Sequence, residues 1–308
     1  MDRRVRWPAG LLLGVTLLAV SAACSGGGST ASVPGTPEAL GTAVTETPSS
    51  RVTKLLVVVV ENHSLGQMRA GMPYTYRLAQ RFGYATNFYA LAHPSLPNYL
   101  AMAGGDTFGV TDDARPADHP VAGASVFGQA LQHGHTAAVY AEGMPEPCAT
   151  ADGGEAYAVR HNPWAYFVDE RAQCLDHDQS MARFDADVEA GRLPEAGMLV
   201  PDTCHDAHDC SLRVADAWFA ERMRTIVAGP DWRAGRLAVV LTADEDDSEG
   251  GNRILTVVAH PSQRHHVVDR RLDHFSITRL YAEVLGEEPL RQAAQAPSLA
   301  EAFHLPVS

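Results

Sequence analysis

Glu61 and Asn62 close the apolar run Leu55–Val60, and Asp244 and Glu245 follow the apolar run Leu237–Ala243 directly. All four are oxygen donors. Carboxylates gathered at one place repel one another, and a divalent cation such as Ca, Mg, Mn, Fe or Zn relieves that repulsion and gives them a use. Asp246, Asp247 and Glu249, a little further on, read as solvated loop acids. The stretch AHPSLPNYL offers Ser95 between Pro94 and Pro97. A hydroxyl is a weak nucleophile until a metal or a base activates it, and an adjoining helix N-terminus favours a bound phosphate or sulfate. Taken alone, this stretch reads Ser95 as a helix N-cap. In PDTCHDAHDC, Asp202 and His205 could take a second metal or a substrate anion, whereas His208 and Asp209 suit a polar surface equally well. RHNPWAYF carries Arg160, His161 and Asn162, donors suited to phosphate oxygens; His274 in LDHFSITRLY is a further candidate ligand, and His265-His266 reads as exposed loop.

These residues need a frame that brings them together. Apolar runs predict strands at Leu55–Val60, Ala137–Tyr140, Met198–Pro201, Leu237–Ala243 and Ile254–His260. Helices are expected at Tyr74–Arg81, Ser95–Ala103, Val126–His133, Ser180–Ala190, Ser211–Ala228 and Ser276–Leu285, several of them stopped by Gly134, Gly191 and Gly286. Val214, Trp218 and Met223 mark one side of the Ser211–Ala228 helix, and residues 143–178 have no clear period. Alternating strands and helices predict an α/β fold, a doubly wound, mostly parallel sheet sandwiched by helices. Such folds place ligands beyond the carboxyl ends of the strands. Glu61, Asp202 and Asp244 each follow a strand, so one sheet edge should collect them.

A chain of 308 residues with 45% hydrophobic content suits one large domain, and a net charge of −13 without a basic stripe argues against nucleic acid as a partner. Arg3, Arg4 and Arg6 precede the apolar run Leu11–Val20 and the small residues Ser21-Ala22-Ala23, the pattern of an export signal over residues 1–23. Cys24 then falls where a bacterial lipoprotein is lipidated, although Ser21 replaces the usual Leu or Val. The expected localisation is the cell envelope, anchored through Cys24, with secretion as the other route; membrane contact is expected only through that anchor. Residues 24–50, rich in Gly, Ser, Thr and Pro, read as a flexible tether, leaving 51–308 as the folded domain. In an exported chain Cys148, Cys174, Cys204 and Cys210 suggest disulfides. Of the three pairings, Cys148 with Cys174 and Cys204 with Cys210 are the expected ones.

In order along the chain, VVVVENHSL, TNFYALAHPSLPNYLAMAGG, RHNPWAYF, VPDTCHDAHDC, TADEDDSEGGNR and DHFSITRLY resemble the phosphoesterase family of acid phosphatases and bacterial phospholipases C, a branch of the alkaline-phosphatase-like superfamily. The resemblance runs from about Lys54 to about Phe303. It implies one divalent metal held by Glu61, Asn62, Ser95, Asp244 and Glu245, with Ser95 as nucleophile and Asn98, His161 and His205 near the phosphate. The wider superfamily often binds two metals, and Asp202, His205 and His274 could form a second set; in the phosphatase branch they would hold phosphate or transfer protons instead. Ala243 stands where an aromatic residue is common. Ser95 and the compact length favour the phosphatase branch, so the expected reaction is hydrolysis of a phosphate monoester through a phosphoserine, with His205 as proton donor. The competing readings are a phospholipase C-type phosphodiesterase and a non-catalytic envelope lipoprotein that binds a polyanion.

Overall fold

The computed structural model describes residues 51–307 other than Glu155; the signal segment, the tether and Cys24 lie outside the described residues. The chain runs β1 (Lys54–Val60), α1 (Leu65–Gly71), α2 (Pro73–Arg81), β2 (Gly83–Tyr89), α3 (Ser95–Gly104), α4 (Val126–Gln132), β3 (Ala137–Ala141), α5 (Arg171–His177), β4 (Asp178–Gln179) and α6 (Met181–Glu189). It continues through β5 (Ala196–Val200), α7 (Leu212–Ala228), α8 (Pro230–Arg233), β6 (Leu237–Ala243), β7 (Arg253–Ala259), β8 (His266–Val268), β9 (Leu272–Asp273), α9 (His274–Leu285) and α10 (Leu299–Phe303).

One sheet forms in the order β4-β3-β5-β1-β6-β7-β2-β8, with β9 added beside β2. The pairs from β4 to β6 are parallel, and β7 is antiparallel to both β6 and β2. Strands β1, β5 and β6 are apolar and buried along almost their whole length because helices cover both faces. Helices α3, α4 and α9 pack together on one face; α1, α2, α6, α7 and α8 form the other layer. The doubly wound expectation holds for the parallel half. Strand β2, with the sequence GYATNFY, carries too many polar residues to read as a buried strand, and it lies on the flank of the sheet.

Helix α7 buries Leu212, Ala215, Trp218, Phe219, Met223 and Ile226, while Val214 faces solvent; the apolar stripe is offset from the expected one. The C-cap of α3 is Gly105 at φ 69°, where a Cβ would lie 2.3 Å from Leu290 O, so no side chain fits. Disulfides join Cys148 to Cys174 and Cys204 to Cys210, the expected pairing.

Candidate active site

In the β1–β6 ladder Val60 is the register partner of Ala243. The next residues, Glu61 and Asp244, therefore emerge side by side at the carboxyl edge. The N–H of Asp244 donates to Val60 O at 3.0 Å. Asn62, in the left-handed conformation at φ 54°, donates its N–H to Asp244 Oδ1 at 2.9 Å. Glu61 and Asp244 are both completely buried.

Helix α3 brings the serine to them. Ser95 is the first residue of α3 and Pro94 is its N-cap, so the hydroxyl is not spent on capping. Ser95 Oγ donates to Glu61 Oε2 at 3.0 Å. Tyr99, one turn further along the same helix face, hydrogen-bonds through its hydroxyl to the other oxygen, Glu61 Oε1. The His161 ring stacks on Tyr99 at 5.2 Å and lies between two acids, Nε2 3.3 Å from Glu61 Oε2 and Nδ1 3.0 Å from Asp206 Oδ2. Neither contact is aligned as a hydrogen bond, so both ring nitrogens, Asp206 Oδ2 and Asp244 Oδ2 are buried polar atoms without partners.

Burial and mutual repulsion push these acids upward. The carboxyl of Glu61 is raised well above its ordinary value by burial and by Asp244 and Asp206. Asp244 is raised by burial, Asp206 is raised to about 7 by burial, and Glu245 to about 9 by burial with Asp244 beside it. His161 is pushed down to about 3 by burial and by the neighbouring Arg160. A group of unpartnered, repelling oxygen donors around a hydroxyl fits a hard divalent cation. Glu61, Ser95 and Asp244 are the donors brought within reach of one another, with Asn62 and Glu245 following Glu61 and Asp244 in sequence.

Other candidates have different places. The Asn98 amide holds the β2–α3 connection: its Oδ1 accepts from Leu91 and Ala92 N–H at 3.0 and 3.2 Å, and its Nδ2 reaches Ala92 O and Glu245 Oε2. It fixes the serine loop rather than facing a phosphate. His274 puts Nε2 2.6 Å from Asp244 O, and among the described residues the group around Asp202 and His205 is completed by Glu142, not by His274. Asp202 Oδ1 caps the N–H groups of Cys204 and His205, and His205 Nδ1 turns to Glu142 Oε2 at 2.9 Å. Glu142, Asp202 and His205 thus converge, but they satisfy one another. The histidine in contact with Glu61 is His161, not His205. At the start of α3, the Leu96 N–H is already taken by Asp113 Oδ1 at 2.9 Å. Asp246 is not a solvated loop acid: it is buried, accepts from Ser248 and Asn252 N–H at 2.8 Å each, and lies 3.2 Å from His93 Nε2.

Tyr99, Asp206, His93 and Glu142 went unread in the sequence. Tyr99 was accessible from its spacing of four from Ser95 on a helix, and Glu142 from the strand-then-acid pattern after β3. Nothing local marks Asp206 within a motif already crowded with acids.

With 13% identity and a TM-score of 0.56, covering 82% of this chain and 72% of the other, the fold is similar to a protein in the alkaline phosphatase superfamily from Vibrio parahaemolyticus. It is also similar to the PsFucS1 sulfatase from Pseudoalteromonas, with 13% identity, a TM-score of 0.53 and coverage of 83% and 72%. The architecture is therefore that of the alkaline-phosphatase-like class. The phosphoesterase family profile matches residues 59–284. The chain belongs to that family, and it is a phosphoric ester hydrolase. A phosphatidylinositol-3-phosphatase of Mycobacterium tuberculosis is 27% identical over 252 residues, 80% of this chain and 81% of the relative. A probable acid phosphatase of Kluyveromyces lactis is 27% identical over 225 residues, and a phosphate-repressible acid phosphatase of Penicillium chrysogenum is 29% identical over 215. Those matches take in 70% and 65% of this chain and about half of each fungal protein, 53% and 51%.

Proposed function

We propose that the protein hydrolyses phosphate monoesters through a covalent phosphoserine on Ser95, with one divalent cation held by Glu61, Asn62, Ser95, Asp244 and Glu245. The observation that carries this reading is the Ser95 Oγ–Glu61 Oε2 hydrogen bond of 3.0 Å beside the unpartnered Asp244 Oδ2. When bound, such a cation lowers the pKa of a coordinated oxygen and offsets charge on the phosphoryl group. Ser95 Oγ attacks phosphorus, and its proton has an acceptor along the existing bond to Glu61 Oε2. Tyr99 and Asn98 hold Glu61 and the serine loop in place, so little reorganisation accompanies the reaction. His161, neutral and seated between Glu61 and Asp206, lines the same centre. His205 is the proton donor to the leaving oxygen. The named activities of the bacterial and fungal relatives, all phosphatases, support a monoester substrate. We further propose export and anchoring at Cys24, in keeping with the two disulfides. Among the described residues no helix is long and apolar enough to cross a membrane.

The test reconstitutes chelated protein with single divalent metals and follows p-nitrophenyl phosphate and bis-(p-nitrophenyl) phosphate, with Ser95→Ala alongside. Metal-dependent turnover of the monoester, a phosphorylated Ser95 trapped in acid, and a loss of at least about 100-fold in Ser95→Ala are expected. Preferential diester turnover overturns the monoester reading, and full activity in Ser95→Ala overturns the nucleophile.

A further inference from the structure

His205 is held more tightly than a loop histidine needs to be. Glu142 Oε2 lies 2.9 Å from its Nδ1, and the same oxygen accepts the Asp202 N–H at 3.2 Å. The Glu142 Oε1 atom accepts from the Trp218 indole N–H at 3.2 Å. The Trp218 ring in turn stacks on the His205 ring, with centroids 5.8 Å apart and planes 19° from parallel. From below, Asp202 Oδ1 accepts the His205 N–H at 2.8 Å, and the Cys204–Cys210 disulfide closes the loop that carries it. The ring is thus fixed by an edge and a face. An acceptor at Nδ1 selects the proton position there and leaves Nε2 as the nitrogen open to a ligand.

Topology says where this histidine stands. Ala141 pairs with Val200 on β5, and Val58 on β1 pairs with Leu199, so Glu142 is level with the end of β1. Two strand spacings, roughly 10 Å, separate it from Glu61, and the loop carrying His205 joins the two: His205 Nδ1 meets Glu142, and the carbonyl of the next residue, Asp206, accepts the Glu61 N–H at 2.8 Å. Ser95 reaches the edge from α3 in one helix layer, whereas Trp218 comes from α7 in the other. In an in-line displacement the nucleophile and leaving group lie on opposite sides of phosphorus. A phosphoryl group approached by Ser95 from the α3 side directs its ester oxygen toward the α7 side, where His205 is.

We infer that Glu142 and Trp218 are positioning residues that seat His205 with Nε2 available to the leaving oxygen, and that the seat matters most for substrates whose leaving alcohol is a poor leaving group. This rests on the phosphoserine reading above. As the Ser95 Oγ–P bond forms, the P–O ester bond breaks and its electron pair leaves on the ester oxygen. The Nε2 proton passes to that oxygen, and the neutral imidazole stays bound to Glu142 through Nδ1–H. Water then attacks phosphorus and returns a proton to Nε2, the P–Oγ bond breaks with its electron pair on Ser95 Oγ, and Oγ recovers its own proton from Glu61.

The test measures kcat/KM of the metal-loaded enzyme and of Glu142→Gln, Trp218→Phe, His205→Ala and Glu142→Gln/His205→Ala on p-nitrophenyl phosphate, phenyl phosphate and glycerol phosphate. Glycerol phosphate turnover should fall about 100-fold in His205→Ala and about 10-fold or more in Glu142→Gln. The kcat/KM for p-nitrophenyl phosphate, which reports only formation of the phosphoserine and whose leaving group needs no proton, should change less than about threefold, even where hydrolysis of the intermediate is slowed. In the double variant Glu142→Gln should add under about twofold to the loss from His205→Ala, because its effect runs through that histidine. Equal losses on all three substrates, additive losses in the double variant, or undiminished glycerol phosphate turnover in His205→Ala overturn the proposal. Failure of the underlying reading looks different: no trapped phosphoserine in the unaltered protein.

Discussion

Replacing Asp244 by Asn should make the cation-free protein more stable while removing its response to a cation. The replacement keeps the shape and leaves an oxygen to accept the Asn62 N–H now held by Asp244 Oδ1 at 2.9 Å. What it removes is a buried charge beside Glu61. Asp206, in the same cluster, indicates the size of that burden: burial lifts its carboxyl from 3.8 to about 7. At about 1.4 kcal/mol per tenfold, keeping such a group charged at pH 8 costs roughly 4 kcal/mol. Asp244 is as deeply buried and its carboxyl is likewise raised by burial, and Glu61 relaxes when its neighbour is neutral, so chelated Asp244→Asn should unfold at higher urea than the unaltered protein. With the unaltered protein, a cation at about one hundred times its Kd adds about 2.7 kcal/mol; the variant should show almost none of this. Urea unfolding at pH 8 with chelator, and again with each divalent metal, reads both effects. A chelated variant less stable than the unaltered protein, or one with an undiminished metal response, refutes the reasoning that these acids are gathered to hold a cation.

Tyr99→Phe should fold normally and weaken metal binding about 10- to 100-fold, because it deletes the bond that orients Glu61; calorimetric titration with metal checks this. Asp178 is completely buried and burial raises its carboxyl from 3.8 to about 7. The folded state therefore keeps a proton that the unfolded chain releases between about pH 4 and 7, and stability falls as pH rises through that window. Asp178→Asn should flatten this fall by roughly 4 kcal/mol relative to the unaltered protein, read as the difference between the two unfolding curves from pH 4 to 8. Replacing Cys148 and Cys174 together by Ser opens a loop of 26 residues in sequence separation and should cost about 3 kcal/mol in denaturant unfolding.

How much of this was readable beforehand follows a physical divide. Elements buried on both faces announce themselves, since a run such as Leu55–Val60 or Leu237–Ala243 has no other stable use. The acids that follow them could be placed at one edge by topology alone. The roles of Asn98 and His274 were not legible, because residue type does not say whether an amide or imidazole faces the substrate or the backbone. Asn98 satisfies four polar groups of its own loop, the N–H groups of Leu91 and Ala92 and the carbonyls of Ala92 and Pro94, and His274 braces the Asp244 carbonyl. Asp246 was misread for the converse reason: an acid in a polar turn looks solvated until the turn folds back over it to use both its oxygens.

The pairing of Val60 with Ala243 has a consequence for the order of events in folding. Asn62 and Asp244 are 182 residues apart. During synthesis the early half of the centre exists long before its later half, and nothing local can substitute for it. Glu61 is hydrated in the unfolded chain, and its burial beside Asp244 requires β6 to pair with β1. Because successive side chains on a strand alternate between faces, a zip closed one residue out of step would turn Asp244 away from Glu61. On the proposed reading, a cation can be held at this edge only by a chain whose two distant halves have met in step.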